Sequence, residues 1–282
     1  MATFYNQATL SYNGNVTLSN ITSGEIVQVL SASKTAVSDQ YFFGDTIAYI
    51  VNIVNSGVTP FTVTLTDDLG SYTSGALTLV PLTYVTGSLK YFENGSLRPT
   101  PVISSVSPLV VSGITVPAGG NATVVYEARV NVYAPLEAGA SITNEAVISN
   151  STISPISVEE TVYAASEPEL TISKSLCPAT ITENGRLTYT FVIQNSGNSA
   201  AVATDNVFVT DTFNPVLDSI VVTFNGDTWT EGVNYTYDTA TGLFSTLAGQ
   251  ITVPAATYTR DPVTGAVIVE PGVSILTVTG TV

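Results

Sequence analysis

The chain has 282 residues, 44% of them hydrophobic and only 10% charged, which leaves room for two domains with real cores and argues against disorder. Lys and Arg total 7 against 22 Asp and Glu, and the formal net charge of −15 argues against nucleic acid or anionic membrane as partners. There is no His and one cysteine, Cys177, which removes Ser-His-Asp triads, imidazole or thiolate metal sites and any intrachain disulfide.

The chain opens on Met1-Ala2-Thr3-Phe4-Tyr5-Asn6, without the basic region and apolar stretch of a signal peptide. The expectation is a leader already removed, or release by lysis of the producing cell, as with spore-surface proteins. No run is long and apolar enough to insert into a membrane. Phe4, Asn6, Ala8, Leu10 and Tyr12 alternate as one face of a strand. Asn13-Gly14 after it is a good two-residue hairpin turn, so the element can be a hairpin.

A module that occurs nearly twice follows. Its first copy contains Ala32-Ser33-Lys34-Thr35, Gly44-Asp45, a strand from Tyr49 to Asn55-Ser56-Gly57, and Val63-Thr64-Leu65-Thr66-Asp67. It continues through Gly113-Ile114-Thr115-Val116-Pro117-Ala118 and Val124–Val130 to Ile142-Thr143-Asn144-Glu145-Ala146-Val147. The acidic stretch Val158–Glu169 reads as a linker. The second copy repeats Ile172-Ser173-Lys174-Ser175, Asn184-Gly185, Tyr189 to Asn195-Ser196-Gly197, Val207-Phe208-Val209-Thr210-Asp211 and Gln250-Ile251-Thr252-Val253-Pro254-Ala255. Alternating runs broken by Gly, Asn and Pro fill both copies, and no long stretch has a helical period.

The reading is all-β: two immunoglobulin-like antiparallel β-sandwiches in tandem. The expected boundaries are 1–27 for an N-terminal donor strand or hairpin with its linker, 28–163 for the first sandwich and 164–282 for the second. The last run, Leu276–Val282, aligns with Val124–Val130, so the second copy lacks its final, Asn144-type strand. That strand is found at the other end of the chain, where Asn6-Gln7-Ala8-Thr9-Leu10-Ser11 matches Asn144-Glu145-Ala146-Val147-Ile148-Ser149.

The strand-Lys, Gly-Asp, Tyr…Asn-x-Gly, Val-x-Val-x-Asp and Asn-x-Ala-x-Val pattern resembles the prokaryotic surface repeats called domain of unknown function 11, across most of the chain. The resemblance implies a β-sandwich of cell-surface, adhesin-like or sheath proteins without known catalysis. The Lys, Asp and Asn positions also resemble those of Gram-positive pilin and adhesin domains that form Lys–Asn isopeptide bonds.

Strand parity puts these polar residues on core faces. Lys34 shares a face with Leu30, Ala32 and Ala36, and Lys174 with Leu170, Ile172 and Leu176. Asp67 lies with Val63, Leu65 and Leu69, Asp211 with Val207, Val209 and Phe213, and Asn144 with Ile142, Ala146 and Ile148. Glu127 falls on the opposite face to Tyr126 and Ala128 and is expected in water. A neutral, desolvated Lys amine can attack an Asn side-chain carbonyl polarised by a protonated carboxyl group, expelling ammonia. The expected sets are Lys34, Asp67 and Asn144 within one chain, and Lys174, Asp211 and Asn6 between chains. The alternative is a buried Lys–Asp pair with Asn hydrogen-bonded beside it, or partly exposed edge residues.

Head to tail, the neighbour's Asn6 strand would complete the second sandwich and propagate an open homopolymer. Folding back of residues 1–27 into the same chain is the closed alternative. The expected role is a structural fibre subunit at a cell or spore surface, not an enzyme, with no cofactor or metal and itself as partner. The other reading is a monomeric adhesin or binding module for glycan or protein. For Trp229, Tyr235 and Tyr237, a carbohydrate platform competes with ordinary core pairing.

Overall fold

The structure, a computed structural model, describes residues 2–26 and 29–282. Val27 and Gln28, at the expected boundary between donor segment and first sandwich, lie outside the described residues.

Residues 2–26 form a two-stranded antiparallel ribbon. Its first arm is Ala2–Asn6 and Thr9–Tyr12, its second Asn15–Leu18 and Thr22–Ile26. The turn is the expected one: Tyr12 pairs with Asn15, and Asn13 (φ 46°) and Gly14 (φ 82°) take the left-handed conformation of a type I′ hairpin. The arms slip in register around Gln7–Ala8, where Ser19 spans the gap through its N–H to Ala8 O (2.9 Å) and its Oγ from Ala8 N (2.9 Å). Phe4, Leu10 and Tyr12 are 53%, 61% and 56% exposed, so the ribbon is not folded back into this chain's second sandwich.

The first sandwich packs two sheets face to face. One runs in the order Ser96–Arg98, Lys90–Glu93, Asn121–Val130, Thr46–Asn55, Leu30–Ala36. The other runs Val102–Val106, Leu109–Val116, Phe61–Asp67, Ser141–Ser149, Ile156–Ala164, Gln40–Tyr41. Alternation decides what is inside: Ile47, Tyr49, Val51 and Ile53 on one sheet meet Val63, Leu65, Val111 and Ile148 on the other.

The acidic segment expected as a linker is in large part a strand. Ile156–Ala164 pairs along Ser141–Ser149 and, in parallel, with Gln40–Tyr41. Val162 and Ala164 point into the core while Glu159 and Tyr163 point out, so Glu159-Glu160 masks an ordinary alternating pattern. Only residues 165–169 connect the sandwiches without regular structure.

The second sandwich repeats the first sheet as Leu170–Cys177, Arg186–Asn195, Gly272–Thr281, Asp218–Phe224 and Asp227–Thr228. Its opposing sheet is cut down to Thr210–Thr212, Leu243–Thr246 and Tyr235–Asp238. The missing final strand is thus accompanied by a second: among the described residues neither Ser141–Ser149 nor Ile156–Ala164 has a counterpart here.

A hairpin from the second sandwich, Thr257–Arg260 with Val267–Glu270, reaches back onto the first. Tyr258, Val267 and Val269 pack on the first core, and Val267 N–H donates to Val132 O (2.8 Å). Arg260 sets its guanidinium 5.6 Å from the Tyr72 ring centre and donates to Tyr133 O (3.3 Å) and Gly265 O (3.1 Å).

The repeated Asn-x-Gly motif has the same task in each copy. Asn55 Oδ1 accepts from Gly57 N–H (2.9 Å) while Nδ2 donates to Thr59 O (2.8 Å) and Pro117 O (3.1 Å). Asn195 does the same with Gly197, Ser199 and Pro254. Each side chain is itself buried and ties the turn that follows its strand to the facing loop at Pro117 or Pro254.

Candidate functional site

Lys34, Asp67 and Asn144 meet in the middle of the first core. Lys34 enters from an edge strand, Asp67 from the end of Phe61–Asp67, and Asn144 from the strand between Phe61–Asp67 and Ile156–Ala164. The side chains of Lys34 and Asp67 are both 0% exposed, and Asn144 is equally buried. Lys34 Nζ donates to Asp67 Oδ2 (2.7 Å) and to the main-chain carbonyl of Asn144 (2.8 Å). It also lies 5.1 Å from the Tyr49 ring centre. Burial pushes its pKa down, with Asp67 pulling the other way.

Tyr126 is a member that strand parity left unassigned to the site. Its hydroxyl donates to Asp67 Oδ2 and accepts from Asn144 Nδ2 (3.3 Å). Burial, and then the Asp67 carboxyl beside it, push its pKa well up, so it remains a donor. Its signal was present: Tyr126 shares a core row with Val124 and Ala128, where a phenol needs a partner. The remaining bonds hold the acceptors in place. Asp67 Oδ1 takes the Leu69 N–H (3.0 Å), and Asn144 Oδ1 takes the Gly70 N–H (3.2 Å). The ammonium thus touches the backbone of Asn144, while the side-chain amide faces Tyr126 and Gly70.

In the second sandwich Lys174 again donates to Asp211 Oδ2, but in the open. The side chain of Lys174 is 38% exposed against 0% for Lys34. Its Nζ stands 4.3 Å from the Tyr189 ring centre and 5.5 Å from those of Phe191 and Phe213. Asp211 Oδ1 accepts from Thr212 N–H (2.9 Å). Ile172 and Leu176, in the same row, are 55% and 40% exposed. The row is exposed because, among the described residues, no strand takes the place that Ile156–Ala164 holds over the Lys34 strand in the first sandwich.

The neighbouring edge is open too. In the first copy Leu65, Thr66 and Asp67 pair with Ile148, Val147 and Ala146. In the second, Asp211 pairs on one side only, with Phe244, and Val207–Val209 forms no strand. Val278 takes the place of Tyr126, since each pairs with the strand tyrosine of its copy, Tyr189 and Tyr49. Asn6 is exposed on the ribbon, opposite Thr22, away from both lysine sites. Glu127 is exposed, as its parity requires. Tyr235 is buried in the core against Phe244, while Trp229, tilted against Phe224 (4.9 Å between ring centres), and Tyr237, whose hydroxyl donates to Leu217 O (2.9 Å), pack half-buried against that core.

The architecture is that of a tandem immunoglobulin-like β-sandwich protein. No family model matches the chain, and no curated protein matches it. Among solved structures it is similar to the pilus backbone RrgB of Streptococcus pneumoniae, at 11% identity and TM-score 0.34, covering 86% of this chain and 55% of that one. It is also similar to BcpA, the major pilin subunit of Bacillus cereus, at 12% identity and TM-score 0.36, covering 95% and 73%. A third is the collagen-binding domain of a Staphylococcus aureus adhesin, at 12% identity and TM-score 0.30, covering 47% and 96%. The chain thus spans little more than half of the pneumococcal pilin.

Proposed function

We propose that this chain is the structural subunit of an extracellular or spore-surface fibre. It assembles head to tail when the N-terminal segment of one subunit enters the second sandwich of the next. The observation that carries the reading is a matched pair of deficits. Among the described residues no strand covers the row of Ile172, Lys174 and Leu176 as Ile156–Ala164 covers the Lys34 strand, and the ribbon bears Phe4, Leu10 and Tyr12 in water. Joining them buries both apolar surfaces and pairs the idle edge at 207–212.

Isopeptide chemistry at the lysines adds a covalent lock. The Lys34 ammonium passes a proton to Asp67 at 2.7 Å, the neutral amine attacks the Asn144 side-chain carbonyl carbon, and ammonia leaves as the new amide forms. The step requires the Asn144 side chain to turn from Tyr126 and Gly70 towards the amine. Lys174, Asp211 and the neighbour's Asn6 form the corresponding set between subunits.

The test is a denaturing gel of boiled fibres together with intact-mass measurement. Wild-type protein gives a ladder of multimers, and each bond lowers the mass by one ammonia. Asn6→Ala or Lys174→Ala collapses the ladder to monomers, while Asn144→Ala removes only the intrachain loss. Filaments formed equally well after deletion of residues 2–26 refute the assembly. Fibres that run wholly as monomers at unmodified mass refute the bonds.

A further inference from the structure

We infer, resting on the fibre reading above, that the ribbon enters the neighbour as a two-arm hairpin: the first arm pairs with the edge at 207–212 with Ala8 opposite Asp211, and the second arm covers Lys174 and Ile172.

The first sandwich shows what the vacancy requires. There the equivalent space holds two strands, Ser141–Ser149 on the Phe61–Asp67 edge and Ile156–Ala164 over the lysine strand. A single added strand would satisfy the edge and leave Lys174 and Ile172 uncovered, because it is the outer strand that hides Lys34. The register follows from the first copy. Ala146, Val147 and Ile148 pair with Asp67, Thr66 and Leu65, so Ala8, Thr9 and Leu10 fall opposite Asp211, Thr210 and Val209.

The ribbon already has the pairing such a plug needs. Asn6 and Thr22 are opposite each other 16 residues apart, and Asn144 is opposite Glu160 at the same separation. One step towards the chain start, Phe4 pairs with Gly24 where the first sandwich pairs Ile142 with Val162, both buried. The two pairs divide bulk differently. The Phe4 ring lies over Gly24 so closely that a Cβ there would stand 2.5 Å from it. A large and an empty side chain thus fill the space of two middle-sized ones, as a core of fixed volume demands.

The charges agree as well. Lys174 and Asp211 already neutralise each other, and the roof they receive carries Thr22 where the first sandwich carries Glu160. Closure therefore buries no unpaired carboxylate. Beyond the register slip at Gln7–Ala8 the ribbon tip departs from the first copy, whose strands are joined by residues 150–155 instead of Asn13-Gly14.

The experiment adds synthetic peptides to growing fibres of the full chain and reads elongation together with amine labelling. Lys34, Lys90 and Lys174 are the lysines, so labelling at Lys174 is resolved by peptide mapping. Peptide 2–26 carrying Asn6→Ala, which cannot form the amide with Lys174, is expected to cap growth and protect Lys174 by coverage alone. Peptide 2–12 with the same substitution is expected to need at least about tenfold more for the same capping and to leave Lys174 labelled. Equal potency and equal protection by the two overturn the two-arm entry while leaving strand donation standing. If neither peptide affects growth, strand donation itself falls. In the full chain, Gly24→Val or Phe4→Ile alone is expected to slow assembly, and the double variant, which recreates the Ile142–Val162 pair, to restore it. A double variant slower than both single ones overturns the proposed fit.

Discussion

The two lysine–aspartate pairs differ most in burial, and that difference sets unequal costs for the same substitution. Asp67→Ala removes an acceptor from Lys34 Nζ, the Tyr126 hydroxyl and Leu69 N–H, all inside the core. An ammonium left alone in such a site typically costs about 3–5 kcal/mol. For a domain of this size that lowers the melting temperature by roughly 10–15 °C, taking about 3 °C per kcal/mol. Asp211→Ala in the unassembled subunit removes the partner of a lysine that still reaches water, and costs about 0–1 kcal/mol. Once the neighbour has closed the site, its cost should rise to the buried value. The assay is urea unfolding of subunits and of fibres. Trp229, the sole tryptophan, reports the second sandwich, and circular dichroism reports the whole. Equal losses for the two substitutions in free subunits would refute the reasoning, as would an Asp211→Ala cost that is the same in fibres and in subunits.

Two further outcomes follow from the first sandwich and its contact with the second. Burial raises the pKa of Tyr41, Tyr49 and Tyr126 in the folded protein, so above pH 10 the unfolded chain sheds protons that the folded chain keeps, and stability falls as pH rises. A free Lys34, whose pKa is lowered, acts oppositely up to its ordinary 10.5, but three phenols outweigh it. The expected slope is a loss of up to about 4 kcal/mol per pH unit above 10, measured by urea titration, and a flat profile to pH 12 would contradict it. Arg260→Ala should loosen the hairpin that clasps the first sandwich by about 1–2 kcal/mol, seen in calorimetry as two separating transitions, and an unchanged single transition would show that the clasp does not depend on it.

Several features were legible because they are local. Period-two alternation put Lys34 among Leu30, Ala32 and Ala36, and the structure buries Lys34 and Leu30 outright. The Asn13-Gly14 turn needs only its own φ values, and it formed as expected. The internal repeat aligned the two lysine strands and exposed the missing partner of the second. Other features depend on which strands meet. Parity shows that Tyr126 points inward, but only the facing sheet decides that its hydroxyl lands between Asp67 and Asn144. Ile156–Ala164 was hidden because Glu159-Glu160 lowers its apparent hydrophobicity, and its burial comes from Gln40–Tyr41 and the Lys34 strand far away in sequence. Likewise, the repeat assigned Lys34 and Lys174 the same place in the module, yet one is sealed and the other half open. Strand periodicity fixes which way a side chain points, and only the strands packed opposite it fix how much water it meets.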